Sequence, residues 1–375
     1  LFLGEWCRLY IRKNRWSKMD AEVLPYHWDD RAKLYSDYQY LQEFYERLLG
    51  DLSIQLNQIH GVDHDLRYWR ILVGPWLGFF VTRLLDNWMS IHFAKDQYDL
   101  SGTVLLVGRE ETLIPNDMDD FMSLFIGDEW NHNLYSSILQ GFTTVPCVKQ
   151  VWLDKDDEME LVPVKSWKLK LERATTGCFS RVASLLIGDQ NAFFMNTYMS
   201  RYDEIRLCQR LSEVPRFWPF VSVDRGVANN NQRKWVVAGE SRSDFETCAR
   251  ALVPQQIPVA YLEGYGQLAE QVVNLPWPKK PKLIWTSNSH ISNDIFKAWT
   301  AEKTNFGSSL VIGQHGGHYG MGCWSFNEDH ELAVSDYYLS WGWTEEGQPK
   351  IKPVGQLKKN KLLKVPNAKK ERVVL

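Results

Sequence analysis

The chain has 375 residues, of which 43 are lysine or arginine and 46 are aspartate or glutamate, giving a formal net charge of −3. With no basic excess to release counterions, it is not a nucleic-acid binder that works by coating phosphates. At 44% hydrophobic and 24% charged residues it is neither disordered nor collagen-like, and it exceeds the ~250–300 residues at which a single core stops growing.

Aromatic residues are abundant: 17 Trp, 16 Tyr and 17 Phe make 13% of the chain. Such rings either build wide core surfaces or form platforms on which sugar rings and nucleobases stack. Six cysteines (Cys7, Cys147, Cys178, Cys208, Cys248 and Cys323) are scattered without a CxxC pair. That spacing predicts reduced, buried thiols rather than a disulfide scaffold or a zinc site. No run of eighteen apolar residues occurs, and the most apolar stretch, 71–85, is interrupted by Gly74-Pro75 and Arg83 and reads as a buried helix.

Residues 1–4 read as a first strand already under way. The spacing of Leu34, Tyr38, Leu41, Tyr45, Leu48 and Leu52 predicts an amphipathic helix over 29–56, and a second helical stretch covers 67–93. A strand is expected at 103–107, then a polar turn around Pro115 and a helix over 118–140. Residues 154–172 read as solvated surface, with Asp154, Asp156, Asp157, Glu158 and Glu160 as a charged loop.

The last third alternates more regularly. Strands are predicted at 235–238, 257–262, 282–287, 309–313, 337–341 and 351–355, with helices at 243–252 and 293–303. Strand, helix and strand in that order make βαβ units and a parallel sheet. The fold class is therefore α/β, a Rossmann-like parallel sheet with helices on both faces. The ending Arg372-Val373-Val374-Leu375 reads as the opening of another strand, so the chain is expected to be part of a longer protein.

Ligands of open parallel sheets bind beyond the carboxyl ends of the strands, so chemistry is sought in the loops that follow them. The strand at 309–313 runs into Gly313-Gln314-His315-Gly316-Gly317-His318-Tyr319-Gly320-Met321-Gly322. Its glycines let backbone N–H groups approach an anionic or sugar ligand, and His315 is placed as general acid or cationic donor to a phosphate leaving group. A tight loop whose His caps a neighbouring strand is the plainer alternative. The preceding strand ends in Thr286-Ser287-Asn288-Ser289-His290, which caps a helix, lines the same crevice, or both. Asp294, in the first helical turn, is a cap-region residue or a catalytic carboxylate. Glu240 and Glu263 each follow a strand-like stretch and are either site carboxylates or ordinary surface. His27 and Asp29 face the crevice or open a helix. Glu328-Asp329-His330-Glu331 does not continue to H-E-x-x-H, and no Walker, dinucleotide-binding or GxSxG motif is present.

Leu1-Phe2-Leu3-Gly4-Glu5-Trp6-Cys7, His27-Trp28-Asp29-Asp30-Arg31, Arg67 through Trp76, Ile312 through Gly320 and Leu339-Ser340-Trp341-Gly342-Trp343 together resemble a family of transferases from bacterial surface-polysaccharide loci. These are similar to capsule and lipopolysaccharide enzymes that move Kdo or other nonulosonic acids, such as pseudaminic acid, from CMP donors. The resemblance implies a GT-B architecture, with residues 1–355 as an N-terminal Rossmann-like domain carrying helical insertions. Residues 356–375 would then be a linker and the first strand of a C-terminal domain beyond this chain. It further implies His315, Asp294 and Glu240 as catalytic residues, Asp294 ahead of Glu240 as nucleophile. Gln314, Gly316, Gly317, His318, Ser287, Asn288, Glu263 and Glu331 would bind substrate, with no metal and no cofactor besides the CMP-sugar donor. The implied partners are an oligosaccharide or lipid-linked acceptor and the inner face of the cell membrane, from the cytoplasm, with no nucleic acid. A polyol-phosphate or phosphosugar transferase of the same layout, and a non-catalytic glycan-binding module, are the alternatives.

Overall fold

The computed structural model describes residues 1–152, 192–218 and 220–357. The expected charged loop at 154–160, the surface segment 154–172, Cys178 and the strand at the end of the chain lie outside the described residues.

Two parallel sheets organise the molecule. In the smaller, β1 (Thr103–Val107) pairs with β2 (Cys147–Val151). The larger contains β3 (Ala192–Met195), β4 (Leu283–Thr286), β5 (Ser309–Gly313), β6 (Tyr337–Ser340) and β7 (Ile351–Pro353), all parallel and in that spatial order. Register is set by pairs such as Trp285 with Val311 and Ile312 with Tyr338. These strands read as near-continuous apolar runs because both faces are covered. Phe193, Met195, Ile284, Leu310, Ile312 and Tyr338 join the main core. Ala192, Phe194, Trp285 and Val311 turn the other way and form a smaller cluster with Cys208 of helix Arg201–Arg210. Helices thus flank the sheet on both faces, as expected of a Rossmann-like α/β fold.

The expected helix at 29–56 is Arg31–His60. Asp30 caps it by accepting from the N–H groups of Ala32 and Lys33, and Gly61 ends it at φ 65°, a conformation open to glycine. Leu41, Phe44, Leu48, Leu49, Leu52 and Leu56 form its buried stripe. The stretch at 67–93 is two helices, Leu66–Leu72 and Gly74–Gln97, with Pro75 opening the second where its missing N–H costs nothing. Gly78 is a contact point: a Cβ there would sit 1.8 Å from the Phe326 ring, so glycine is what admits helix Phe326–Val334 against this one. The expected helix at 118–140 is likewise two, Met118–Phe125 and Asp128–Phe142. Trp69, Trp76, Trp130 and Trp299 are among the largest fully buried side chains, so much of the aromatic surplus is core.

Three expected strands are not strands. Residues 1–4 contribute one bridge, Phe2 to Val23, before a 3-10 turn at Glu5–Cys7. Residues 235–238 pair with no strand among the described residues; the Val237 N–H donates to the Arg250 carbonyl and that of Ala238 to Gln55 Oε1. Residues 257–262 hold a 3-10 turn, Val259–Tyr261, because Val259 and Ala260 donate to the carbonyls of Pro115 and Asn116 rather than to a ladder. Strands β2 and β3 are additional to those expected.

Of the described cysteines, Cys208 and Cys248 are buried, Cys147 half-buried, and Cys7 and Cys323 exposed; all are free. Among the described residues no helix is long and apolar enough to cross a membrane.

Candidate active site

Because β3 to β6 are parallel, their carboxyl ends fall along one edge, and four short segments form a rim there: 196–198, 287–290, 314–319 and 341–343. Two non-glycine residues of the first segment are left-handed, Asn196 at φ 52° and Tyr198 at φ 63°. Such conformations cost of order 1–3 kcal/mol each and persist only where surroundings impose them. The neighbouring loop does so. The Ser287 N–H donates to the Asn196 carbonyl, Ser287 Oγ to the Thr197 carbonyl at 3.1 Å, and Asn288 Nδ2 to the Tyr198 hydroxyl at 3.0 Å. In return Asn196 Nδ2 donates to Ser289 Oγ at 2.7 Å. Gly313 lets the two strand ends approach: a Cβ there would lie 2.7 Å from Ser287 Oγ and 3.1 Å from Trp285 Nε1.

Gln314 is an internal pin. It is 2% exposed, its Nε2 donates to the Gly316 carbonyl at 2.7 Å, and its Oε1 accepts from the Trp341 N–H and from Trp343 Nε1. This ties the Gly-rich segment to the loop after β6. Gly316 is confined, since a Cβ would come within 2.9 Å of His318, whereas Gly317 faces open space. His318 is exposed at the mouth, its ring 4.2 Å from that of Tyr319.

Behind the loop lies a chain of titratable groups. Glu331, on helix Phe326–Val334, is wholly buried; its Oε1 accepts from His290 Nε2 at 3.1 Å and from the Tyr319 hydroxyl at 2.9 Å. His315 Nδ1 stands 3.5 Å from the same oxygen, and its Nε2 is 3.2 Å from the Tyr319 hydroxyl. The His315 side chain is 20% exposed, so the relay reaches the surface through one imidazole. Burial lowers the proton affinity of His315 below the usual 6.5, opposed by the Glu331 carboxylate and reinforced by His290 and His318. At neutral pH the ring is therefore uncharged, suited to receive a proton and able to become a cation when an anion binds beside it. Burial and the Glu331 charge together push the Tyr319 hydroxyl far above its ordinary value, so it remains protonated.

The remaining expected site residues are placed elsewhere. Asp294 is 3% exposed: its Oδ1 pairs with Lys297 Nζ at 2.6 Å and accepts from the Tyr261 hydroxyl, and its Oδ2 accepts from the Met118 N–H. Its carboxylate ties helices together beneath the sheet edge. Glu240 is exposed beside Arg242 at 3.9 Å. Glu263 forms a bidentate, nearly buried pair with Arg233, at 2.7 and 2.6 Å. Ser287, Asn288, Gln314, Gly316, Gly317, His318, His315 and Glu331 are brought together. His290, Tyr319, Asn196 and Tyr198 complete the cluster. His290 and Tyr319 stood inside the motifs already singled out, while Asn196 and Tyr198 follow a strand that was not expected.

The family model described as LIC12162 family transferase matches residues 1–375. The chain belongs to the LIC12162 transferase family. No curated protein and no solved structure matches it.

Proposed function

We propose that this transferase moves a glycosyl group, a nonulosonic acid of the Kdo or pseudaminic type, from a CMP donor to a surface-polysaccharide acceptor, working in the cytoplasm at the inner face of the membrane. On this reading residues 1–355 are the N-terminal half of a GT-B enzyme. The observation that carries it is the His315–Tyr319–Glu331–His290 relay opening at the carboxyl edge of a parallel sheet.

The anomeric carbon–oxygen bond to the CMP phosphate breaks, the phosphate keeping the electron pair, while an acceptor hydroxyl attacks the anomeric carbon. Neutral His315 takes the acceptor's proton, and Glu331 stabilises the imidazolium that forms. The N–H groups of Gly316 and Gly317 lie where they can face the departing phosphate. Asp294, saturated by Lys297, Tyr261 and Met118, acts as a structural anchor.

The test offers CMP-linked nonulosonic acids and CDP-polyols side by side to the complete protein, with an oligosaccharide acceptor, and measures nucleotide release. CMP release from the sugar donor, reduced by roughly 10²-fold or more in His315→Ala, is expected. Release from the CDP-polyol instead identifies a polyol-phosphate transferase. Glycan binding with no nucleotide product identifies a binding module.

A further inference from the structure

A second opening lies away from the relay, between the N-terminal segment, helix Gly74–Gln97, helix Asp128–Phe142 and β1. It is a cavity of about 940 Å³. The motif segments 4–7 and 26–29, which the relay leaves unused, supply much of its wall. Trp6 is 47% exposed and meets Tyr26 edge-on at 5.5 Å. Gly4 is what lets the indole fold back, because a Cβ there would fall 2.3 Å from the Trp6 ring.

Asn87 and Ser136, both lining this cavity, are more than nine-tenths buried and carry atoms without a hydrogen-bond partner, Nδ2 and Oγ; Asp86, its side chain 11% exposed, adds Oδ1. Asp86 Oδ2 is satisfied by Arg83 at 2.9 Å, but Oδ1 stands 3.5 Å from His27 Nε2 without bonding it. Leaving such groups unmade costs about 1–3 kcal/mol apiece, so three in one wall mark a surface shaped for a ligand rather than for packing. Their needs are mixed: a carboxylate oxygen requires a donor, an amide N–H₂ requires an acceptor, and a hydroxyl serves either way. An ammonium ligand offers donors alone and a phosphate offers mainly acceptors. Carboxylates at Glu5, Asp29, Asp86 and Asp128 against the single guanidinium of Arg83 further oppose an anion. A ring of hydroxyl groups, each both donor and acceptor, with an apolar face for Trp6, meets every requirement.

We propose that this cavity is a carbohydrate site taking a neutral pyranose, with Asp86, Asn87 and Ser136 bonding its hydroxyls and Trp6 stacking on its face. This does not rest on the donor reading, since the cavity shares no residue with the relay.

The full chain is titrated, in the absence of nucleotide, with methyl glucopyranoside, galactopyranoside, mannopyranoside and rhamnopyranoside by saturation-transfer NMR. Iodoacetamide alkylation of Cys7, which lines the same cavity, is followed in parallel by mass spectrometry of its peptide. At least one glycoside is expected to bind and to protect Cys7. Trp6→Ala is expected to weaken that binding about tenfold or more, equivalent to ~1.4 kcal/mol, without altering the unfolding temperature, and Asn87→Asp to weaken it by exchanging the unpartnered amide donor for a second carboxylate beside Asp86. If no glycoside binds, if binding leaves Cys7 equally reactive, or if Trp6→Ala binds unchanged, the assignment is overturned. Stronger binding of methylammonium or inorganic phosphate than of any glycoside also overturns it.

Discussion

Asp294→Ala separates a structural carboxylate from a catalytic one. Asp294 and Lys297 are each at most 1% exposed in their side chains and stand 2.6 Å apart. The lysine ammonium also donates to the Leu72 carbonyl at 3.0 Å and the Tyr261 hydroxyl at 2.8 Å, so one cation links three segments. Removing the carboxylate leaves that cation uncompensated in the interior and strips acceptors from the Tyr261 hydroxyl and the Met118 N–H. Breaking a buried pair from one side costs about 3–5 kcal/mol, a large fraction of the ~5–15 kcal/mol that holds a protein folded. Urea unfolding of Asp294→Ala should therefore show a loss of about 4 kcal/mol. In the double variant Asp294→Leu with Lys297→Met, which removes both charges, most of that loss should return. A single variant as stable as the parent to within ~0.5 kcal/mol yet inactive in nucleotide release would refute the argument and place the carboxylate at the reacting carbon.

The relay makes a prediction with a definite sign. The proton affinity of His315 is lowered, so the basic form is lost as pH falls through a value below 6.5; kcat/KM should be level near pH 7 and decline only on the acid side of 6.5. Glu331→Gln removes the charge that supports the imidazolium and should cut kcat by roughly 10²-fold while moving that decline to still lower pH; an unmoved limb would disconnect Glu331 from His315. Acid stability offers another check. Burial lowers His27 to about 4 and His330 well below 6.5, so the unfolded chain binds protons that the folded chain does not, and stability is full above pH 6.5 and falls below it. At ~1.4 kcal/mol per pH unit, His27 alone costs about 3 kcal/mol between pH 6.5 and 4; His27→Gln should flatten that part of the urea-midpoint profile, and an unchanged slope would contradict the burial argument.

Much of the sheet was legible because buried parallel strands have a plain signature. The runs 282–287, 309–313 and 337–341 are short and apolar, the first two separated by a helix pattern, and each contains a strand. The same signature misleads at 257–262, where Pro258 and the carbonyls of Pro115 and Asn116 draw the backbone into a turn. Nothing local distinguishes that case, since the deciding acceptors lie about 140 residues earlier in the chain. Ala192–Met195 has no expected helix or strand beside it to mark it as part of a βαβ unit, so it and the left-handed Asn196 and Tyr198 that follow it were not expected. Within the site, position after a strand identified the Gly-rich loop and Ser287 correctly as neighbours, because parallel topology alone brings them together. It could not rank carboxylates. Asp294 and Glu331 look alike in sequence, and what separates them is the partner each meets: a lysine ammonium in one case, two imidazoles and a phenol in the other.

Among the described residues the larger sheet's five strands advance in one direction, from β3 to β7, without reversing. Doubly wound folds usually open a crevice where the winding changes hand and helices diverge; a unidirectional sheet has no such parting. The mouth must instead be shaped by what each strand leaves behind as it exits, and glycine spacing after β5 does so by omission of side chains. Each exit segment is bonded to its neighbour, Ser287 and Asn288 to the turn after β3 and Gln314 to the loop after β6, so an exchange in one is felt by the next. Three of the four grouped side chains, His290, His315 and Tyr319, ride on these exit segments, and Glu331 alone meets them from a helix below.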